Sequence, residues 1–301
     1  MPGLLSNRYD DRIASVRSRV QAAVNSLSEE ERKSQFYAED VEEINRSDYE
    51  VRRFLLDWGG REDGTVKSIL KSLRWKKSMG LRDLRDNYFP ADMWFIGGVF
   101  IYEPDREGRP TMHIRLKTAI TTRELMTTIK QFLAYLCWKV DRSGGEAGYI
   151  VLVDFEGISI KNCDLEMARY VLEIKQVFPK FLRYLLAVDC PLIARAAWNM
   201  VKFAISPEDR HVMQMVSRAE VTKYVAPENL PPFLGGTSSR KFCGPSVVPN
   251  GSPSYVDFGA HHLGISEERG HKLFKAYQPM REEAEALASA APVIGRAIVP
   301  A

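Results

Sequence analysis

The sequence predicts an α/β protein in which an all-helical N-terminal lobe precedes a mixed or parallel sheet. Three observations carry this. The first ninety residues space their apolar side chains by three and four; between 98 and 116 the spacing drops to two; and from 149 to 205 two continuous apolar runs alternate with two helical patterns. Strand, helix, strand, helix in that order implies right-handed βαβ crossovers.

Each element has its own signal. Ile13, Val16, Val20, Val24 and Leu27 lie on one helical stripe over 10–27, opposite Arg12, Arg17 and Arg19. Ser28 with Glu31 reads as a capping box opening a short second helix. Val51, Phe54, Leu55 and Trp58 continue the pattern from Asp48 until Gly59-Gly60 stops it, and a further helix spans Thr65 to Lys77. Gly98 to Tyr102 and Met112 to Leu116 form a hairpin-like pair around the turn chemistry of Glu103 to Pro110. A helix follows over Thr122 to Val140, and Ser143 to Gly148 reads as a flexible connection into a covered strand, Tyr149 to Phe155. Then come a helix over Asp164 to Val177, a second covered strand over Arg183 to Asp189, and a helix opened by Pro191. A short strand over His211 to Val216 and a helix near Ala219 to Val225 complete the sheet region. The expected organisation is a helical lobe over 1–90, a sheet domain over 91–244, and a loop-rich tail over 245–301 with a helix near Ser266 to Leu287. That tail reads equally as a linker, an added helix on the domain, or a segment for a protein partner.

Composition narrows the function classes. Apolar residues at 45% and charged residues at 27% exclude wholesale disorder, and 42 Lys+Arg against 39 Asp+Glu leaves a net charge of +3, too small to argue for nucleic acid. The four cysteines (Cys137, Cys163, Cys190, Cys243) are scattered through apolar runs with no C-x-x-C pair, as in a reduced compartment. No signal-peptide core and no uninterrupted apolar run of about 18 residues is present, so a soluble cytoplasmic protein is expected.

An enzyme reading rests on Asp154 and Asp189 at two strand ends with Glu156 close by, where open α/β sheets place their sites. The partners such acids need are missing: no G-x-S-x-G elbow, no glycine loop ending in G-K-[ST], and no H-x-x-x-H among the histidines. The acids are expected to cap backbone donors at turns, and the chain is read as a non-enzyme with no cofactor or metal.

Helix 191–205 is unusual. Its apolar positions cover more than half the circumference, leaving Arg195, Asn199 and Lys202 as a narrow polar strip, whereas a solvent-facing helix buries a stripe nearer 100° wide. Either it is sandwiched in a core, or it is a lid over an apolar cavity that also rests on a membrane with Arg195 and Lys202 at headgroup level. Arg74, Lys76 and Lys77 around Trp75 form either a solvated helix face or a second membrane-docking edge.

Between residues 53 and 236 the chain resembles a CRAL-TRIO domain, the fold of cytosolic lipid-binding and lipid-transfer proteins. The resemblance is carried, in order, by Arg53-Phe54-Leu55 followed by Trp75, by Glu107-Gly108-Arg109-Pro110, and by Val153-Asp154-Phe155-Glu156-Gly157-Ile158-Ser159. Phe178-Pro179, Asp189-Cys190-Pro191, and Glu228-Asn229-Leu230-Pro231 with Gly235-Gly236 complete it. Phe178-Pro179-Lys180 and Leu230-Pro231-Pro232 are most similar to the CRAL-TRIO lobe of motile sperm domain-containing proteins, whose other domains are absent from this sequence.

The resemblance implies a CRAL-TRIO α/β sandwich with a gated apolar pocket, and a lipid or isoprenoid-like ligand exchanged at a membrane. By analogy the pocket face is Tyr149, Val151 and Val153 on the first covered strand, Leu185 and Ala187 on the second, and Trp198, Val201 and Ile205 on the gate. Phosphatidylinositol binders of the family carry an acidic residue where Lys180 stands, a lysine where Val212 falls, and a basic residue where Gly59 falls. An apolar side chain cannot donate to a phosphate, so the usual inositide code is not expected, although Arg210 and His211 lie next to the gate. The same fold with an occluded pocket, serving as a protein-interaction or membrane-tethering module, is the alternative.

Overall fold

A computed structural model describes residues 7–120, 122–159, 162, 164–180, 182–203 and 207–290, without the side chains of Leu165, Ile193, Ala196, Ala197, Met200, Val201 and Glu208. Contacts divide the chain into two units, one of Met1–Leu84, Cys137–Gly148 and Leu165–Leu182, the other of Arg85–Leu136, Tyr149–Asp164 and Arg183–Ala301. The helical lobe thus recruits two later segments, and the tail is grouped with the sheet instead of standing apart.

The first unit is helical. Helices α1 (Ile13–Asn25), α2 (Glu29–Gln35), α3 (Ala38–Arg46), α4 (Asp48–Asp57) and α5 (Glu62–Ser78) bury Val16, Val20, Val51, Leu55, Ile69 and Leu73 in one core. The Ser28–Glu31 capping box opens α2, and Gly59 and Gly60, both at positive φ, let the chain turn at the end of α4. Helix α3 had no apolar stripe strong enough to be expected. At the centre Arg53 is 1% exposed; its guanidinium donates twice to Asp141 at 2.9 and 2.7 Å and once to the Pro179 carbonyl at 2.8 Å. Coulombic attraction to Asp141 and Glu50 outweighs burial and holds that guanidinium above its ordinary pKa. Helix α8 (Leu165–Val177) docks beside α5, where the Ser72 hydroxyl donates to the Val177 carbonyl at 2.8 Å.

The second unit is built on a five-stranded sheet in the order β1 (Val99–Tyr102), β2 (Thr111–Arg115), β3 (Tyr149–Asp154), β4 (Leu182–Val188), β5 (Met213–Val216). Strands β1 and β2 pair antiparallel, while β2 with β3 and β4 with β5 pair parallel, so the sheet is mixed, as expected. The β1–β2 turn is tied by Asp105, whose carboxylate accepts from the Glu107 and Arg109 amides and from Arg109 Nε at 2.7 to 2.9 Å. Helix α6 (Ala91–Ile96) precedes β1, and α7 (Met126–Gly144) precedes β3. The segment before β3 is a 3-10 turn over Gly145–Ala147, not a loose connection.

Register separates two faces. Facing one way are Phe100, Tyr102, His113, Arg115, Ile150, Leu152, Asp154, Leu186, Val188 and Val216; the apolar ones among β3 to β5 pack on Val221, Val225, Leu230 and Leu234. The element expected as a helix near Ala219 to Val225 is a 3-10 run over Arg218–Lys223, and the strand expected from His211 begins at Met213, after a 3-10 run over Pro207–Val212. Gly236 lies where a Cβ would meet the Leu230 carbonyl at 2.0 Å, so the turn after Leu230 tolerates no side chain there.

The tail is more ordered than its composition suggested. Helices α10 (Tyr255–Leu263), α11 (Glu267–Lys275) and α12 (Gln278–Ser289) bury Tyr255, Leu273 and Tyr277 on Ile96 and Leu125, and Ala284 on Phe95, Phe100 and Phe242. Polar ties fix them: Arg281 pairs with buried Asp92, the Tyr277 hydroxyl donates to the Ile120 carbonyl at 2.7 Å, and Glu283 accepts from Arg115 and, at 2.9 Å, from Lys117. The tail is an integral layer of the sheet unit.

Candidate functional site

The opposite sheet face is the candidate binding surface. Strand alternation puts Val99 and Ile101 of β1, Met112 and Ile114 of β2, Tyr149, Val151 and Val153 of β3, Leu185 and Ala187 of β4, and Met213 and Met215 of β5 on it. Half-buried Arg183, near the start of β4, shares this face with Leu185 and Ala187; the other residues named are apolar apart from the Tyr149 hydroxyl. Thus Tyr149, Val151, Val153, Leu185 and Ala187, expected together from the sequence, do share a face; all but half-buried Leu185 are buried. The same alternation adds Met112 and Met213, which sequence reasoning missed because only strand pairing brings β2 and β5 beside β3 and β4.

Helix α9 (Leu192–Phe203) follows β4 through Asp189, which takes the left-handed conformation at φ 51°, and then Cys190-Pro191. Its buried side includes Ala194 and Trp198; the Trp198 ring meets Phe155 edge-on, centroids 6.4 Å apart. Its outer side is not polar. Leu192 is 78% and Phe203 71% exposed, and they stand about 20° apart around the helix axis. Arg195 and Asn199 are exposed on the same side, within about 60° of Leu192, with half-buried Lys202 alongside. The Arg210 guanidinium lies 5.1 Å from the Phe203 ring centre and also donates to the Phe203 carbonyl. Among the described apolar positions Ala194 and Trp198 lie inside and Leu192 and Phe203 outside, so burial of the whole arc in a core does not describe it. The side chain of Val201 and the whole of Ile205 lie outside the described residues.

The strand-end acids are engaged in ion pairs and turns. Asp154 Oδ1 accepts the Glu156 amide and Arg218 Nη2, both at 3.2 Å, while Asp189 accepts the Arg218 amide at 3.0 Å and Arg218 Nε at 3.1 Å. Burial raises the Asp154 carboxyl above its ordinary value, and the Glu156 amide and Arg218 offset part of that. These carboxylates serve backbone and guanidinium donors, in keeping with the capping role expected of them. Among the described residues, no three side chains of metal-binding type converge, and no helix is long and apolar enough to cross a membrane.

The second docking group divides. Lys76 is buried, its ammonium 5.5 Å from the Phe178 ring centre, which corrects its expected place on a docking edge. Lys77 is half-buried with its ammonium 4.1 Å from the Tyr37 ring centre, and exposed Arg74 donates to Gln35. These cations lie over aromatic rings, an attraction that amino-acid spacing does not reveal. Of the positions compared with inositide binders, Lys180 sits in the left-handed conformation at φ 57°, and Val212 is half-buried.

Residues 96–236 match the family profile described as the CRAL/TRIO domain. A CRAL-TRIO domain-containing protein of Schizosaccharomyces pombe, C365.01, is 23% identical over 248 residues, covering 72% of this chain and 68% of that protein. The phosphatidylinositol/phosphatidylcholine transfer protein SFH9 of Arabidopsis thaliana is 23% identical over 199 residues, 57% of this chain but only 34% of that protein. The crystal structure of Sfh5 superposes with a TM-score of 0.53 at 13% identity, covering 91% of this chain and 95% of that one, a likeness of fold.

Proposed function

We propose, from the premise that residues 96–236 form a CRAL/TRIO domain, that this protein holds a hydrophobic lipid against the apolar sheet face and exchanges it at a membrane. The single observation that carries this is the predominantly apolar face running across all five strands, charged at Arg183 near the start of β4, with α9 following β4 in the chain. Each Å² of apolar ligand surface removed from water contributes about 25 cal/mol, so a lipid chain laid on such a face binds without any charged contact. The outer side of α9 supports exchange at a membrane: Leu192 and Phe203 are apolar anchors, and Arg195 with Lys202 sits at headgroup level.

The ligand we infer is a lipid or isoprenoid lacking the inositide headgroup contacts, because Lys180, Val212 and Gly59 stand where phosphatidylinositol binders differ. The transfer activity in the name of SFH9 supports lipid exchange as the class of function. The likeness to the CRAL-TRIO lobe of motile sperm domain-containing proteins stays within this reading, and their tethering role is not carried over. Action in the cytoplasm and at membrane surfaces, without catalysis, follows from the same reading. Mass spectrometry of organic extracts from the natively purified chain tests it: a bound lipid at close to one per protein is expected. Empty extracts, together with no uptake from phosphatidylcholine or prenol-containing vesicles, would overturn it.

A further inference from the structure

We propose that Arg218 is the latch that holds α9 closed, and this bears on ligand exchange only through the lipid-binding reading above. Besides the Arg210 contact with Phe203 at its end, helix α9 is held at its entry and on its buried side. Its entry is Asp189, whose amide donates to the Val216 carbonyl at 3.0 Å, and its buried Trp198 rests on Phe155. Arg218 grips both. Through its own amide and Nε it holds the Asp189 carboxylate; through Nη2 it holds Asp154 and through Nη1 Glu156, the two neighbours of Phe155 in the chain. Nη1 also donates to the Phe233 carbonyl, which ties the guanidinium to the layer packed on the far sheet face.

The geometry suits a latch better than a permanent bolt. The Arg218 side chain is 27% exposed, with Asp189 at 41% and Glu156 at 55%, while Asp154 is nearly buried at 3%. Water and salt reach the Asp189 and Glu156 ends, so those pairs break at modest cost, and the Asp154 end keeps the guanidinium in position to reform them. Asp189 is the residue whose backbone must turn if α9 swings, and its left-handed conformation is one that aspartate and asparagine tolerate better than most residues.

Amide hydrogen exchange of the full chain, followed by mass spectrometry over 190–203, tests the latch and needs no ligand. In Arg218→Gln the α9 amides are expected to exchange about three- to tenfold faster than in the wild type, the range for losing a small network of partly exposed ion pairs. Raising sodium chloride should speed exchange in the wild type and leave Arg218→Gln unmoved. Asp189→Asn, which removes the hinge charge but fits the same backbone, should reproduce most of the effect and decides the matter if Arg218→Gln does not fold. Wild-type protection of α9 in Asp189→Asn, or in a folded Arg218→Gln, overturns the proposal. Faster exchange in a protein that yields no lipid would leave the latch standing and remove the lipid reading instead.

Discussion

The two faces of the sheet are built from different chemistry. One buries a histidine, an arginine and an aspartate, His113, Arg115 and Asp154, each below 3% exposure and each hydrogen-bonded. There the His113 ring stacks on Phe100 at 5.0 Å, Arg115 lies 5.2 Å from the Phe233 ring centre, and helix α12 supplies Glu283. The other face carries one charged strand residue, half-buried Arg183 of β4, among apolar side chains. A buried ion needs one conformation to keep its partners, whereas an apolar surface is indifferent to what covers it. The contrast teaches that the polar face fixes the fold, whereas the apolar face is the one we propose for a ligand.

Four measurements sharpen or break that contrast. The largest effect should come from Arg115→Ala, which leaves Glu283 with Lys117 alone, frees the Ile96 carbonyl and empties the space beneath Phe233; a loss of about 2–5 kcal/mol in chemical denaturation is expected. Next is the pH dependence set by His113. Burial depresses its pKa from 6.5 to about 3, so the unfolded chain binds the proton first. Its stabilising contribution is complete above the unfolded value and is lost as pH falls toward the folded one. Between pH 6.5 and 5 it should cost about 2 kcal/mol, and His113→Phe should flatten that part of the pH–stability curve relative to the wild type.

On the apolar face, Ala187→Trp distinguishes a ligand surface from a packed core. Stability of the lipid-free protein should change by less than about 1 kcal/mol while lipid content falls; a loss of about 1–3 kcal/mol, the usual result of overpacking, would mean that protein atoms already fill that space. Smallest is the outer side of α9. Neutralising Arg195 or Lys202 should weaken co-sedimentation with anionic vesicles by about 1 kcal/mol each, and Phe203→Ser should weaken binding to neutral vesicles as well.

Much of this was legible before any coordinates. Period-two and period-3.6 patterns located the five strands and most helices, because burial of one face imposes those periods on whatever sequence satisfies it. The residues of β3 and β4 assigned to a pocket face came from the family resemblance, and the register puts them on one side of the sheet. Helix α3 escaped because much of it is polar, with few buried side chains. In the tail, the stretch expected as one helix near Ser266 to Leu287 is two, α11 and α12, and α10 escaped because the apolar residues of these short elements gain a common core only against Ile96, Leu125 and Phe95. Lys76 misled because a lysine stem can lie buried with its ammonium over a ring. Arg218 gave no local signal at all: its partners lie 29, 62 and 64 residues away in sequence.

The sequence by itself determined the class of fold, the order of its elements and the apolar character of the face bounded by Tyr149, Val153, Leu185 and Ala187. These are local properties, set by spacing along one strand or helix. Only the tertiary structure decided which way Leu192 and Phe203 point, that Arg115 and Glu283 meet, and that one arginine ties the entry of α9 to the strand end beside Phe155. Such outcomes depend on strand register and chain crossings, which bring together side chains whose separation in sequence carries no periodic trace.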